Sequence, residues 1–311
     1  MFAARGALLT LPSSAFSAIF GATFGGLSIS TDGGTTFSNK TTANGLGNNY
    51  TTSVFASGSN VYVGTSGGLS ISNDRGATFS NKTTTNGLGA DFVSGVYVIG
   101  STVYASTSTG MSISTNGGAS FTNKTTANGL GNNNCRAVYA SGSTVYVATS
   151  GGFSISTDGG SSFTNKTTAN GLGGNNSYGA FAVGSTVYAS TTSGLGISTD
   201  GGTSFTNKTT ANGLGSNAIY GGVYVSGSTI YAATGNGLAI STDNGSSFTN
   251  KTTANGLGNN EMYGVYAIGS NVYVSTVGGL SISTNGGSSF TNKTTANGLG
   301  SNTMYGGVYA T

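Results

Sequence analysis

One segment, Ser-Xaa-Asp/Asn-Xaa-Gly-Xaa-Ser/Thr-Phe, recurs seven times along this 311-residue chain, closing at Phe37, Phe79, Phe121, Phe163, Phe205, Phe248 and Phe290. Successive intervals are 42 residues, except for 43 between Phe205 and Phe248. A regular period of that size is the mark of a repeat architecture, in which each copy buries its apolar surface against its neighbours. One domain over residues 13–311 is therefore expected, preceded by a tail over residues 1–12.

Each copy reads as four short strands. In Gly222 to Asn255 the runs are Val223-Tyr224-Val225, Thr229 to Thr234, Leu238 to Ser241 and Ser246 to Thr253. Gly, Ser, Asn and Asp separate them, residues that tolerate tight reversals. Four antiparallel strands joined by hairpins and copied seven times predict an all-β, seven-bladed β-propeller. A β-solenoid is the alternative, but its coils are much shorter than this period. The chain ends favour the ring. Val308 to Ala310 has the pattern of a first strand and Ser17 to Thr23 that of a second, so each end supplies what the other lacks. Ala7 to Leu11 is a competing donor of that first strand.

Composition narrows the function. Charged residues are 5% of the chain against about 25% in ordinary globular proteins. A net charge of +3 without a basic stripe argues against nucleic acid as a partner. The lysines are spaced one per repeat at Lys40, Lys82, Lys124, Lys166, Lys208, Lys251 and Lys293, as a solvated outer rim would be. There is no histidine and one cysteine, Cys135, so neither a metal site of the usual ligands nor a disulfide framework is expected, and no cofactor is implied. No apolar run reaches the length of a transmembrane helix. An extracellular or cell-surface location is the expectation, although the short apolar start is not a normal signal peptide.

The eight-residue box, for example Ser30-Thr31-Asp32-Gly33-Gly34-Thr35-Thr36-Phe37, resembles the Asp-box of bacterial neuraminidase-type repeats, found in sialidases and many non-catalytic propellers. The stretch Asn297 to Asn302 followed by Val308-Tyr309 is similar to repeats of two-component-regulator-type propellers. The resemblance implies that Asp32, Asp74, Asn116, Asp158, Asp200, Asp243 and Asn285 bond backbone groups in the turn between third and fourth strands. It also implies that the Phe packs between sheets. Asn at two of the positions fits a structural role and not a catalytic acid or metal ligand.

Sialidase-like hydrolysis is the weakest reading. The three arginines, Arg5, Arg75 and Arg136, are too scattered to form that family's carboxylate clamp. Asp91 and Glu261 are the acids outside the boxes, and they precede different blades, so a two-carboxylate pair is not expected. The copies differ most just before each first strand. Candidate binding residues there are Tyr50, Asp91, Phe92, Arg136, Tyr178, Tyr220, Glu261, Met262, Tyr263 and Tyr305. A mouth of aromatic and charged residues suits recognition of a glycan or protein through the face opposite the box turns. A purely structural scaffold is the alternative.

Overall fold

The computed structural model describes residues 18–311. Readings that fall on residues 1–12, the tail and the rival strand Ala7 to Leu11, lie outside the described residues. Seven four-stranded antiparallel sheets form a closed seven-bladed β-propeller. Blade two is representative: an inner strand Thr51–Ser57, a second Asn60–Thr65, a third Gly68–Ser72 and a short outer strand Ser80–Lys82. Along the inner strand, Val54 and Ala56 point into the inter-blade core while their neighbours are half-buried. That is the period-two pattern of a strand with one covered face.

Blade one joins the two ends of the chain. Val308–Ala310 pairs antiparallel with Ile19–Thr23, in the register Ile19 with Ala310, Phe20 with Tyr309 and Gly21 with Val308. Ala18 and Thr311 close the seam with two hydrogen bonds of 3.0 Å, one between backbone groups and one onto the Thr311 hydroxyl. The strand edge that blade one would otherwise leave open is filled.

The outer strand is shorter than the sequence pattern suggested. It ends at the lysine, because the following Thr-Thr-Ala/Thr-Asn forms a 3-10 turn instead of continuing. In the first copy the Thr41 hydroxyl accepts from the Ala43 amide, and the Asn44 side chain accepts from the Thr41 amide at 3.1 Å. This reciprocal capping satisfies donors that a strand edge would leave to solvent. The turn also stitches blades together: the Phe79 amide donates to the Asn44 carbonyl at 2.8 Å. The same 2.8 Å bond recurs in every copy, including Phe37 to Asn297 across the ring closure. Each box Phe packs with a Leu from that turn, as half-buried Phe79 with Leu46 and buried Phe37 with Leu299.

The box turns are held by their acidic or amide side chain. The Asp158 carboxylate accepts from the Ser162 amide at 3.0 Å and the Ser162 hydroxyl at 2.6 Å, and the Ser156 hydroxyl donates to it at 2.6 Å. Asn116 reproduces the arrangement, accepting from the Ser120 amide at 3.0 Å and donating to the Ser120 hydroxyl at 2.9 Å. Amide and carboxylate are interchangeable here because a serine or threonine hydroxyl can reverse its proton.

The five box carboxyls are nonetheless held well below their ordinary value of 3.8, in most copies first by the hydroxyl of the serine that opens the box. A depressed folded-state value adds stability that is complete above the ordinary carboxyl range and lost as pH falls below it. The melting temperature is therefore expected to hold from neutral pH to about 5 and to drop below that. Replacing all five Asp by Asn should lower the neutral-pH value toward the wild type's acid value, because the amide cannot take up the charge, and should flatten the acid decline. An acid decline of the same steepness in the fivefold variant would refute this account of the boxes.

Candidate functional site

Seven lead-in loops carry the chain from each outer turn to the next inner strand, and a four-position pattern explains where their side chains go. The first position caps the 3-10 turn. Asn49 accepts from the Thr42 amide at 2.8 Å, and Asp91 does the same for Thr84 at 2.8 Å. The second position is exposed or half-buried: Tyr50, Phe92, Asn134, Asn176, Ala218, Glu261 and Thr303. The third, Thr51, Val93, Cys135, Ser177, Ile219, Met262 or Met304, is fully buried between blades. The fourth is Thr52, Ser94, Arg136, Tyr178, Tyr220, Tyr263 or Tyr305, and of these all but Ser94, Thr52 and Arg136 are tyrosine.

This alternation corrects two of the sequence expectations. Met262 has 0% exposure and packs against Tyr231, Leu238 and Phe290, so it belongs to the core and not the mouth. The Asp91 carboxylate is engaged in capping, the task of an Asn in every other copy, and it does not line the central cavity. Tyr50, Arg136, Tyr178, Tyr220, Glu261, Tyr263 and Tyr305 do line it together. Phe92 stands at the rim, 39% exposed, 6.4 Å from the Tyr50 ring.

The cavity has a volume of about 940 Å³, and its inner wall is a closed belt of aromatic rings. Phe55, Tyr97, Tyr139, Phe181, Tyr224, Tyr266 and Tyr309 contribute one ring per inner strand, and adjacent centroids are 4.7 to 5.0 Å apart all the way round. Such tilted pairs stabilise beyond their burial. Burial, followed by the neighbouring phenols, pushes Tyr97 and Tyr266 far above the ordinary phenol value of 10, and burial also raises Tyr224 and Tyr309. Those four phenols are uncharged at neutral pH.

The mouth above the belt is asymmetric. One arc runs Phe92, Tyr50, Phe24, Tyr305, Tyr263, with the last four rings 4.2 to 4.8 Å apart in sequence. Phe24 was not foreseen. It sits in the hairpin between the second and third strands of blade one, on the same face as the lead-in loops, where other copies carry Ser, Thr, Gly or Val. A second arc joins Arg136 to Tyr178, with the guanidinium carbon 3.8 Å from the ring centroid, and Tyr178 to Tyr220 at 5.1 Å. At the Phe92–Tyr50 end of the first arc, blades two and three line the cavity with small hydroxyl residues, Thr52, Ser53 and Ser94.

Glu261 accepts a short hydrogen bond from the Tyr263 hydroxyl, and that phenol is raised by burial and then by the carboxylate. Cys135 is buried and its thiol is pushed up to about 12, which makes it a poor nucleophile. Among the described residues no cluster of three or more acidic or Cys side chains could hold a metal ion.

Ring and mouth together define a class: a seven-bladed propeller with one uniform face and one individual face. No family model matches the chain, and no curated protein sequence matches it. Solved structures do. The extracellular domain assigned to the hybrid two-component system BT3049 from B. thetaiotaomicron superposes with a TM-score of 0.70 at 18% identity, over 83% of this chain and 36% of that one. The extracellular domain assigned to the one-component system BT4673 from the same organism gives 0.67 at 16% identity, over 86% and 37%. YCF48 bound to D1 peptide gives 0.57 at 17% identity, over 80% and 85%. An ancestral GH74 enzyme also matches, at 0.55 and 15% identity. This chain spans a little over a third of those two extracellular domains. At such identities the likeness is one of fold.

Proposed function

We propose that this protein is a non-catalytic recognition module that binds a glycan or protein partner at the channel mouth, on the face opposite the box turns. The observation that carries the reading is the partition of individuality. The box face repeats nearly the same turn in every blade, whereas the mouth gathers Tyr50, Arg136, Tyr178, Tyr220, Glu261, Tyr263 and Tyr305 around one concavity. Rigid aromatic rings around a preformed cavity give contact area at low entropic cost. In this reading the turns holding Asp32, Asp74, Asn116, Asp158, Asp200, Asp243 and Asn285 are structural Asp-boxes.

Catalysis has little to work with. The Asp91 carboxylate caps a backbone turn, Glu261 is bonded to Tyr263, and Cys135 is buried. An extracellular setting fits the extracellular sensor domains that share the fold, and a peptide-bound propeller, YCF48, makes a protein partner reasonable. No helix among the described residues is long and apolar enough to cross a membrane.

The reading is tested by screening the intact protein against glycan and peptide arrays, then titrating the hits into Tyr220→Ala and Tyr263→Ala. Each substitution should weaken binding at least tenfold, the effect expected of an interfacial hot spot, about 1.4 kcal/mol or more. The melting temperature should change little. Silence on both arrays, or affinities indifferent to both substitutions, would leave the structural scaffold as the better account.

A further inference from the structure

Arg136 stands out from the rest of the mouth in its unmet hydrogen-bonding capacity. It occupies the ring position that is Tyr in blades five, six, seven and one, and it lines the cavity. Its Nη1 is shut off from solvent and has no hydrogen-bond partner, while the guanidinium rests on the Tyr178 ring. A buried charged donor without a partner is destabilising, and the ring face compensates only in part. The one acidic side chain lining the cavity, Glu261, engages the Tyr263 hydroxyl through one carboxylate oxygen and makes no hydrogen bond to Arg136 Nη1. Ser53 adds a second buried, unpartnered polar atom on the wall of the same cavity.

We propose that Arg136 is the specificity-determining residue of the mouth and anchors a carboxylate carried by an extended peptide ligand. The inference rests on the mouth being the recognition face. A ligand carboxylate that draws the guanidinium off Tyr178 supplies the charge-assisted bonds its resting position lacks, so the contact gains more than it would at a solvated arginine. A peptide fits better than a sugar. Tyr50, Tyr178, Tyr220, Tyr263 and Tyr305 engage one another or Phe24 edge to face or tilted, and the Tyr178 face is covered by Arg136. These contacts take up part of the ring surface on which a pyranose could stack, whereas the gaps beside the rings suit side chains.

The test uses the full chain and paired hexapeptide libraries, one member with Asp or Glu and a free C-terminus, the other with Asn or Gln and a C-terminal amide. Acidic members should bind at least tenfold more tightly than their neutral partners. Arg136→Gln should abolish that preference, Arg136→Lys should keep part of it, and Tyr220→Ala should weaken both members alike. A mouth ligand, lost in Tyr220→Ala, that binds the wild type and Arg136→Gln equally would overturn the arginine's role while leaving the recognition face intact. A preference for uronate oligosaccharides over every acidic peptide would overturn the ligand class. Absence of any binding sensitive to Tyr220→Ala would remove both this inference and the reading beneath it.

Discussion

A chain ending at Gly307 is expected to lose the closed ring and with it most of its stability. Val308–Ala310 is the inner strand of blade one and holds Phe20 and its neighbours in register. Its removal uncovers Val308 and Ala310 contacts in the core that also contains Ile19 and Phe37, and it breaks the aromatic belt on both sides of Tyr309. Burying one aliphatic side chain is worth about 1.5–3 kcal/mol and each hydrogen bond about 1 kcal/mol. The loss is therefore about 5 kcal/mol, a large share of the roughly 5–15 kcal/mol that keeps a domain folded. The Ile19–Thr23 edge would then be open to pairing with other chains. Urea unfolding and size-exclusion chromatography should show a much lower midpoint and concentration-dependent association. An unchanged midpoint would mean that the seam does not carry the ring.

Gly171→Ala should be nearly as damaging, although it adds one methyl group. Gly171 closes its 3-10 turn at φ 91°, and a Cβ there would lie 2.0 Å from the Phe205 carbonyl oxygen and 3.0 Å from its carbon. The left-handed backbone alone costs an L-residue about 1–2 kcal/mol. The methyl collides with backbone and forces apart the bond between the Phe205 amide and the Asn170 carbonyl, so a total of about 3–4 kcal/mol is expected. Gly201 provides the control. Its φ is 72°, but a Cβ there meets nothing within 4 Å, and blades two and six place Arg75 and Asn244 in the equivalent turn at φ 61° and 56°. Gly201→Ala should therefore cost no more than about 2 kcal/mol. Comparing the two urea midpoints separates collision from conformational strain; equal losses would contradict the stitch.

The architecture was legible because its signals are local and repeated. The box, the hairpin turns and the complementary chain ends each follow from a few neighbouring residues, and the ring closure by Val308–Ala310 agrees with the pairing observed. The outer strand was extended to Thr253 because Thr252 and Thr253 have strand-like composition, and the capping of the 3-10 turn Thr253–Asn255 by Thr252 outweighs that preference. At the mouth, the tyrosines before the inner strands were visible as exceptions among copies. Placing Met262 there ignored the two-residue alternation that sends it inward, and placing Asp91 there ignored its match to the capping Asn of other copies. Phe24 and the aromatic belt were hidden for another reason. Phe24 meets Tyr305, and Phe55 meets Tyr309, only once the ring has closed, so no window of sequence contains both partners. The 43-residue interval also has a structural meaning: Gly221-Gly222 adds a residue before the inner strand of blade six, as Gly306-Gly307 does in blade one, and both strands are shorter there.

The claim that recognition belongs to the mouth is tested most directly by the affinity of one screened ligand for two variants of the intact protein. One carries Tyr220→Ala and Tyr263→Ala; the other carries Asn in place of all five box aspartates on the opposite face. The account predicts a loss of more than tenfold in the first, above the about 1.4 kcal/mol of either single change, and wild-type affinity in the second. Retained binding in the tyrosine variant together with loss in the box variant would contradict it.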